Sequence, residues 1–460
     1  MPTERRDQQN LGLATDTRLA HSSRNSGHKY APDGELWNRW ARIGRRAHDK
    51  SCRFSNLMTH VNVDSLTEAF KAMDGSKALG VDGISKTEYG KNLEANLKLL
   101  EQRVQRGTYR PKPKREVLIP KANGKTRPIA ITCFEDKLVD WVVGKILTQI
   151  YEPLFIRNSF GYRPNKSADG AIKACYYSIC KNRRKYVVEI DFSSFFNTIP
   201  HRKLMRIIGK RITDRRFKGL IGRFLKGGLT NEGGEVLPSE LGTPQGSIMS
   251  PILANVYLHE ALDMWFIQNY ASYNNIMVRY ADDAVFFFNK EETAVKFLDD
   301  LNCRVNNFGL KLNSDKTRSL MIAKSSHAQF SFLGFTFYWG KQGSRCILKV
   351  KTQKEKLIKA VQEFDQWIKS IRSKTKLISI WALARAKILG HINYYGYCMN
   401  ALKLNHFYWS AVRSMYKWLN RRSQKHSYNW KGFKERLKNF PLVNPIEVTK
   451  LKQLDWNPYA

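Results

Sequence analysis

The chain has 460 residues, 42% hydrophobic and 12% aromatic, with 78 Lys and Arg against 40 Asp and Glu for a formal charge of +38. That hydrophobic content excludes a disordered chain, and the length exceeds what one core organises, so more than one domain is expected. No run approaches the roughly 20 apolar residues of a spanning helix, so the basic surplus points to nucleic acid rather than a membrane as partner.

The amino terminus, "MPTERRDQQN", is charged at once and shows no apolar signal region, which favours a cytoplasmic chain. Residues 1–60 read as an N-terminal extension, polar and disordered over 1–35 and helical from "ELWNRWARIGRRA" (35–47). A second helical pattern, "VDSLTEAFKAM" (63–73), opens a unit expected to run over 61–340. "GTYRPKPKREVLIPKANGKTRPIAI" (107–131) reads as a basic hairpin turning at "NG" (123–124). A helix over 135–155, a strand "KYVVEIDF" (185–192) and a basic helical region at 201–226 follow. Turn-rich runs "KGGLTNEGGEVLP" and "LGTPQGSIMSP" precede a helix at 252–266. "VRYADDAVFFF" (278–288) reads as strand, tight turn at 281–284 and strand. A helix near 291–308, a strand at 319–322 and "FSFLGFTFYW" (330–339) complete an α+β unit. From about 345 the pattern becomes helical: residues 341–433 read as an α-helical domain and 434–460 as a short basic tail. Residues 341–460 hold 25 Lys and Arg against 6 Asp and Glu. Seven scattered cysteines without a CxxC pair indicate buried thiols, neither a disulfide framework nor a zinc site.

Two adjacent aspartates, Asp282 and Asp283, at the tip of an apolar hairpin are tolerated only with water or cations nearby. "YADD" alone is a weak motif, and a solvated acidic turn is its bland explanation. A third carboxylate changes the balance: Asp191 ends the apolar strand of "VVEIDFSSFF", with Val187 and Glu189 on its face by alternation. With that strand beside the hairpin, Asp191 and Asp282 face each other. Hard carboxylate oxygens suit Mg²⁺, and two such ions would activate an attacking hydroxyl and stabilise a leaving pyrophosphate.

Together with "GVDG" (80–83), "IPKANGKTRPIAI" (119–131), "FGYRPNKSADGAI" (160–172), "VEIDFSSFFNTIPH" (188–201), "GTPQGSIMSPILANVYL" (242–258), "FGLKLNSDKT" (308–317) and "FLGFTF" (332–337), the hairpin resembles the ordered motifs of bacterial group II intron-encoded reverse transcriptases/maturases. The resemblance implies a right-hand polymerase fold, fingers and palm over 61–340, followed by an α-helical thumb/maturase domain. It implies RNA-directed DNA polymerase activity on an RNA template with a DNA primer and dNTPs, using two Mg²⁺ ions for which Mn²⁺ can substitute. Asp191, Asp282 and Asp283 would hold the metals, with the Phe192 carbonyl. Lys121 and Arg127 would hold the triphosphate, Phe196 would exclude a 2′-OH, Gln245 would line the nucleotide pocket, and Lys316 would protonate pyrophosphate. A core aromatic or a surface lysine explains Phe196 and Lys316 without the family.

"LGHINYYGYCMN" (389–400) and "YWSAVRSMYKWLNRRSQKHSYNWKGF" (408–433) resemble the thumb, or maturase, region, implying intron RNA as a partner. Most of Ile392, Tyr394, Tyr395, Tyr397, Trp409, Tyr416 and Trp418 are expected in a helix-bundle core, and Arg421, Arg422, Lys425, His426 and Lys431 against RNA. After "SYNWKGF" no His/Asn/Cys cluster of an HNH endonuclease is expected. Two rivals stay open, a free-standing enzyme of host defence or repair and a non-catalytic RNA-binding splicing factor, as does a homodimer. The expected location is the bacterial cytoplasm, in a ribonucleoprotein or at the nucleoid.

Overall fold

The computed structural model describes residues 34–120, 126–180, 184–230, 235–237, 240–244, 246–271, 274–422, 428–445 and 451–454. Residues 1–33, the "NG" turn, Lys121, Gln245, Lys425 and His426 lie outside them, as does the side chain of Arg127. The strands are β1 (Lys114–Pro120), β2 (Thr126–Ile131), β3 (Tyr186–Ile190), β4 (Leu229–Thr230), β5 (Val236–Leu237) and β6 (Ile276–Tyr280). β7 (Asp283–Phe288), β8 (Arg318–Met321), β9 (Gln329–Phe332), β10 (Phe335–Gln342) and β11 (Arg345–Thr352) follow.

They form three sheets, ordered β2-β1-β4-β5, β6-β7-β3-β8 and β11-β10-β9. The middle sheet is antiparallel throughout, with β3 between β7 and β8. Its two faces are both covered, which is why Val187–Val188 and "VFFF" read as continuous apolar runs rather than alternating ones, with Glu189 the one charge inside β3. Val188, Ile190, Met277, Phe286 and Phe288 join a large core with the helices around it. Val187, Val278, Val285 and Phe287 pack instead with β9–β11 and the helix Ala168–Cys180. Phe286 stands 4.5 Å from Phe297 on one side, and Phe287 stands 5.9 Å from Phe330 on the other. Each such fully buried side chain contributes roughly 1.5–3 kcal/mol, so the hairpin is anchored from above and below.

The helix Phe134–Tyr151 runs through the first core and buries residues on nearly all its sides. A third core belongs to the helices Lys354–Ile371, Leu377–Tyr395, Ala401–Leu419 and Trp430–Asn439.

Several expectations are corrected here. The helical unit begins at Lys354, not 341: β10 and β11 pair along their whole length, so a boundary at 340/341 cuts through a strand. Among the described residues after 433, the stretch expected as a short basic tail packs against the rest of the chain. Leu442 is buried in the third core, Leu454 is buried in the second, and Lys452 bridges to Tyr397. Their apolar side chains complete surfaces that basic residues alone leave uncovered. The helix of 252–266 is three pieces, Ser250–Leu258, a π-helical turn His259–Asp263 and Met264–Asn269. Trp409 and Tyr394 are exposed rather than core, and Cys303 and Cys398 are exposed thiols.

Candidate active site

The site starts from strand register. β3 pairs with β7 through Val187↔Phe287, Glu189↔Val285 and Ile190↔Ala284. One step further along that ladder, Asp191 stands opposite Asp283, on the face of Val187, Glu189, Val285 and Phe287. The expected facing of Asp191 with Asp282 is therefore corrected. Tyr280 pairs with Asp283 to close β6 and β7, which leaves Ala281 and Asp282 as the two-residue turn, off the ladder. Ala281 takes φ 57°, the left-handed region that favours glycine, at a cost of about 1–3 kcal/mol.

Buried polar groups hold that turn. Arg279 donates from Nη1 to the Ala281 carbonyl at 2.9 Å and to Asn255 Oδ1 at 2.9 Å. Asp263, on the π-helical turn, receives the rest of the guanidinium. Burial pushes the Asp263 carboxyl up, but Arg279 and His259 outweigh it and hold the carboxyl below its ordinary value. From the other side "FGYRP" lies along β6: Phe160 N–H donates to the Arg279 carbonyl and Asn255 Nδ2 donates to the Gly161 carbonyl. Glycine is required at 161, because a Cβ there would stand 2.3 Å from the Ala281 nitrogen.

Asp191 and Asp283 line a cavity of about 700 Å³ with Lys316, Arg318, Lys356 and Tyr394. Asp283 is accessible to solvent yet stands in a recess dense with protein atoms. Burial, then the charges of Asp282 and Asp191, push its carboxyl up to about 6, against Lys316 and Lys356. Asp191 accepts from Lys316 Nζ and from Asn313 Nδ2, each at 3.1 Å. Glu189 accepts from Arg318 and from the Ser331 N–H, which ties β3 to β8 and β9. Tyr394 donates its hydroxyl to the Leu333 carbonyl at 3.0 Å in the turn after β9.

On the opposite side Phe196 is half-buried, edge-on to Phe195 at 5.4 Å. It walls a cavity of about 160 Å³ with Asn197, Gly242, Pro244 and Ile129 of β2. Phe192 buries its ring against Phe195, and its backbone bridges to Leu312. The loop before helix Ser250–Leu258 is held by Asp140, which accepts from Ser247 Oγ, Ile248 N–H and Met249 N–H at 2.8, 2.8 and 3.0 Å. Burial pushes the Asp140 carboxyl up, and those three bonds oppose it. Gly246 presses on β2: at φ 117° its Cβ position lies 2.3 Å from the Ala130 carbonyl oxygen. Arg127 lies on β2 opposite Ile119.

A divalent cation suits this donor set, since like charges crowd Asp283 and hard oxygens converge from two strands. Among the described residues, no three His, Cys, Asp or Glu side chains converge as a closed metal cage. Asp191 spends an oxygen on Lys316 instead. An open site that takes substrate phosphates as ligands needs few protein carboxylates, so the two facts are compatible.

Of the expected RNA contacts, Arg421 and Lys431 are exposed and Arg422 is half-buried; Arg421 lies 5.7 Å from the Trp418 ring centre. Sequence reasoning gave no role to Lys356, which nothing local distinguishes from a surface residue, or to Asn313, although it stands within "FGLKLNSDKT". It also missed Arg279, although a lone charge inside an apolar strand was a legible signal.

The reverse transcriptase (RNA-dependent DNA polymerase) family profile matches residues 119–337. "Protein YkfC" of Escherichia coli (strain K12) is 32% identical over 310 residues, 59% of this chain and 81% of that protein. "Group II intron-encoded protein LtrA" of Lactococcus lactis subsp. cremoris is 37% identical over 201 residues, 44% of this chain. The match spans only 33% of the Lactococcus protein. Among solved structures, "apo telomerase from Candida Tropicalis truncated from C-terminal domain" superposes with a TM-score of 0.41 at 16% identity, covering 53% of this chain and 55% of that one. That likeness is too loose to carry an argument.

Proposed function

The chain belongs to the reverse transcriptase family, among its group II intron-encoded members, and from that premise we propose that it copies RNA into cDNA and binds intron RNA to assist splicing and mobility. The observation that carries the polymerase reading is the β3–β7 register, which sets Asp191 against Asp283 at the floor of an open cavity, with Asp282 in the adjoining turn.

The family generally uses divalent metal ions. Asp191, Asp282 and Asp283, with the Phe192 carbonyl, would hold two Mg²⁺ ions, which Mn²⁺ can replace. Bound there, they would lower the pKa of the primer 3′-hydroxyl and neutralise the leaving pyrophosphate. The chain's own residues do the rest. Lys316 reaches the acidic floor, and a proton held on Nζ can pass to pyrophosphate. Lys121 and Arg127 of the basic hairpin bind the triphosphate of the incoming dNTP. Phe196 packs under the sugar, where its ring leaves no room for a 2′-OH, and the resemblance assigns Gln245 to the nucleotide. Lys356 and Tyr394, facing the carboxylates across the cavity, suit the primer terminus.

Arg421, Arg422, Lys425, His426 and Lys431, in the basic stretch of the chain after Lys354, would bind intron RNA and hold the protein in a ribonucleoprotein. Among the described residues no helix is long and apolar enough to cross a membrane.

Primer extension on an RNA template with dNTPs and Mg²⁺ tests the polymerase. Wild-type protein makes cDNA and Asp282→Ala makes at least 100-fold less; equal extension by the two sinks the reading. Phe196→Ala extends with ribonucleotides as well, and unchanged sugar selectivity removes the gate from Phe196.

A further inference from the structure

The helices His201–Gly209 and Arg215–Lys226 are amphipathic in an unusual way. Their inner faces, Leu204, Ile207, Ile208, Phe217, Leu220, Ile221 and Phe224, belong to the first core. At 100° per residue the opposite faces fall on Arg202 and Arg206 in one helix, and on Arg215, Arg216, Arg223 and Lys226 in the other. Lys218 Nζ lies 3.9 Å from where a Cβ on Gly209 would stand, which joins the two faces.

Three observations set this surface apart from an ordinary solvated one. Arg202, Arg206, Arg215, Arg216 and Lys226 make no ion pair among the described residues. Both helices open with cations, Arg202 and Lys203 in one and Arg215 and Arg216 in the other, and neither has an acidic residue in its first turn. In the first helix, whose N-cap is Pro200 with no side-chain acceptor, those cations oppose the helix dipole and cost stability unless an anion is bound; in the second, Asp214 caps the helix and offsets part of that cost. The second helix also keeps two interior glycines, Gly219 and Gly222, on its outer side. A Cβ on Gly222 would meet nothing within 4 Å, and one on Gly219 would meet only Arg223 Nη1 at 3.8 Å. No packing requires them, and each costs the helix about 1 kcal/mol relative to alanine. What they provide is close approach for a polymer backbone between flanking cations.

We propose that this helix pair is a second polyanion-binding face that grips the phosphate backbone of structured RNA, separately from the polymerase cleft. The cavity floored by Asp191 and Asp283 is lined by none of its residues. The proposal rests on the reading that the chain binds structured RNA, and it assigns that binding to a surface outside the thumb.

The test uses the full chain with three probes: a labelled RNA hairpin of ~20 base pairs, which spans more than one groove, a short oligo(rA)/oligo(dT) substrate, and anionic phospholipid vesicles. Arg202→Gln/Arg206→Gln/Arg215→Gln/Arg216→Gln/Lys226→Gln is expected to raise the hairpin Kd at least ~10-fold. The same variant is expected to flatten the salt dependence, the log–log slope shrinking by about one for each phosphate no longer neutralised. Extension of oligo(rA)/oligo(dT) stays within twofold. Gly219→Ala/Gly222→Ala is expected to raise Tm while weakening the hairpin, a combination that a purely structural role does not produce. Wild-type hairpin affinity and salt slope in the five-Gln variant overturn the proposal. So does loss of vesicle binding alone, which makes the face a membrane contact. If the wild-type protein itself fails to bind the hairpin while still extending primers, the RNA-binding reading falls as well, which separates the two failures.

Discussion

Arg279 and Asp263 form a two-pronged ion pair in which neither side chain is exposed at all, with Nε–Oδ1 at 2.7 Å and Nη2–Oδ2 at 2.6 Å. The guanidinium's remaining arm reaches the Ala281 carbonyl, inside the turn that carries Asp282. Breaking a buried pair from one side typically costs about 3–5 kcal/mol, because the surviving charge stays buried and unpaired. Arg279→Ala is therefore expected to lower Tm markedly. Arg279→Lys retains the charge but lacks the planar fork for three partners. It is expected to fold, to bind primer–template normally, and to extend at least ~10-fold more slowly, because small displacements of reacting groups are costly. Thermal denaturation and single-turnover extension check both outcomes; full extension by the folded Lys variant shows that the turn needs no such support.

Gly161→Ala approaches the same turn from the other side. Its Cβ would meet backbone, the Ala281 nitrogen at 2.3 Å and the Tyr280 carbonyl carbon at 2.9 Å, so no side chain can swing away. The expected result is a large fall in kcat with little change in KM for dNTP, read from steady-state extension. A rise in KM with kcat intact would put the fault in the nucleotide pocket instead.

Asp283 makes stability depend on pH in an unusual sense. Burial and two neighbouring carboxylates raise its carboxyl from 3.8 to about 6. Between those values the folded chain binds a proton that the unfolded chain has released, so stability from this group falls as pH rises toward 6 and stays lower above it. Asp283→Asn is expected to raise Tm of metal-free protein at pH 7.5, with the advantage gone by about pH 3, below the unfolded value of 3.8, where both states are protonated. Differential scanning across that range decides it; a Tm gain equal at both pH values would mean the repulsion is absent.

Asp140 serves three donors of one loop, two of them backbone N–H groups. Asp140→Ala leaves them unpaired in a buried setting and is expected to cost about 2–4 kcal/mol. The loop leads from Pro244, which lines the cavity beside Phe196, so KM for dNTP should rise with the loss of stability. Denaturant unfolding and dNTP titrations at a temperature where the variant is folded test the link.

Much of the site was legible because polymer chemistry leaves local marks. An apolar strand ending in Asp191, an apolar hairpin with Asp282 and Asp283 at its tip, and a basic hairpin at 114–131 are each readable from spacing and period. The helix-rich end was equally plain in composition, but its start was not. β11 carries Lys and Arg as the helices do, and only its pairing with β10 shows that it is a strand.

Sequence by itself determined which residues carry charge into apolar surroundings and in what order, since burying a carboxylate or a guanidinium needs a reason whatever the fold. Only the tertiary structure decided their partners. Register placed Asp283, not Asp282, opposite Asp191, because two residues must leave the ladder to make the turn. Likewise, long-range contact turned Gly161, Asn255, Asp263 and Arg279 from scattered letters into one buried frame beneath the turn. Such bonds depend on distances between residues far apart in the chain, which local periodicity does not encode.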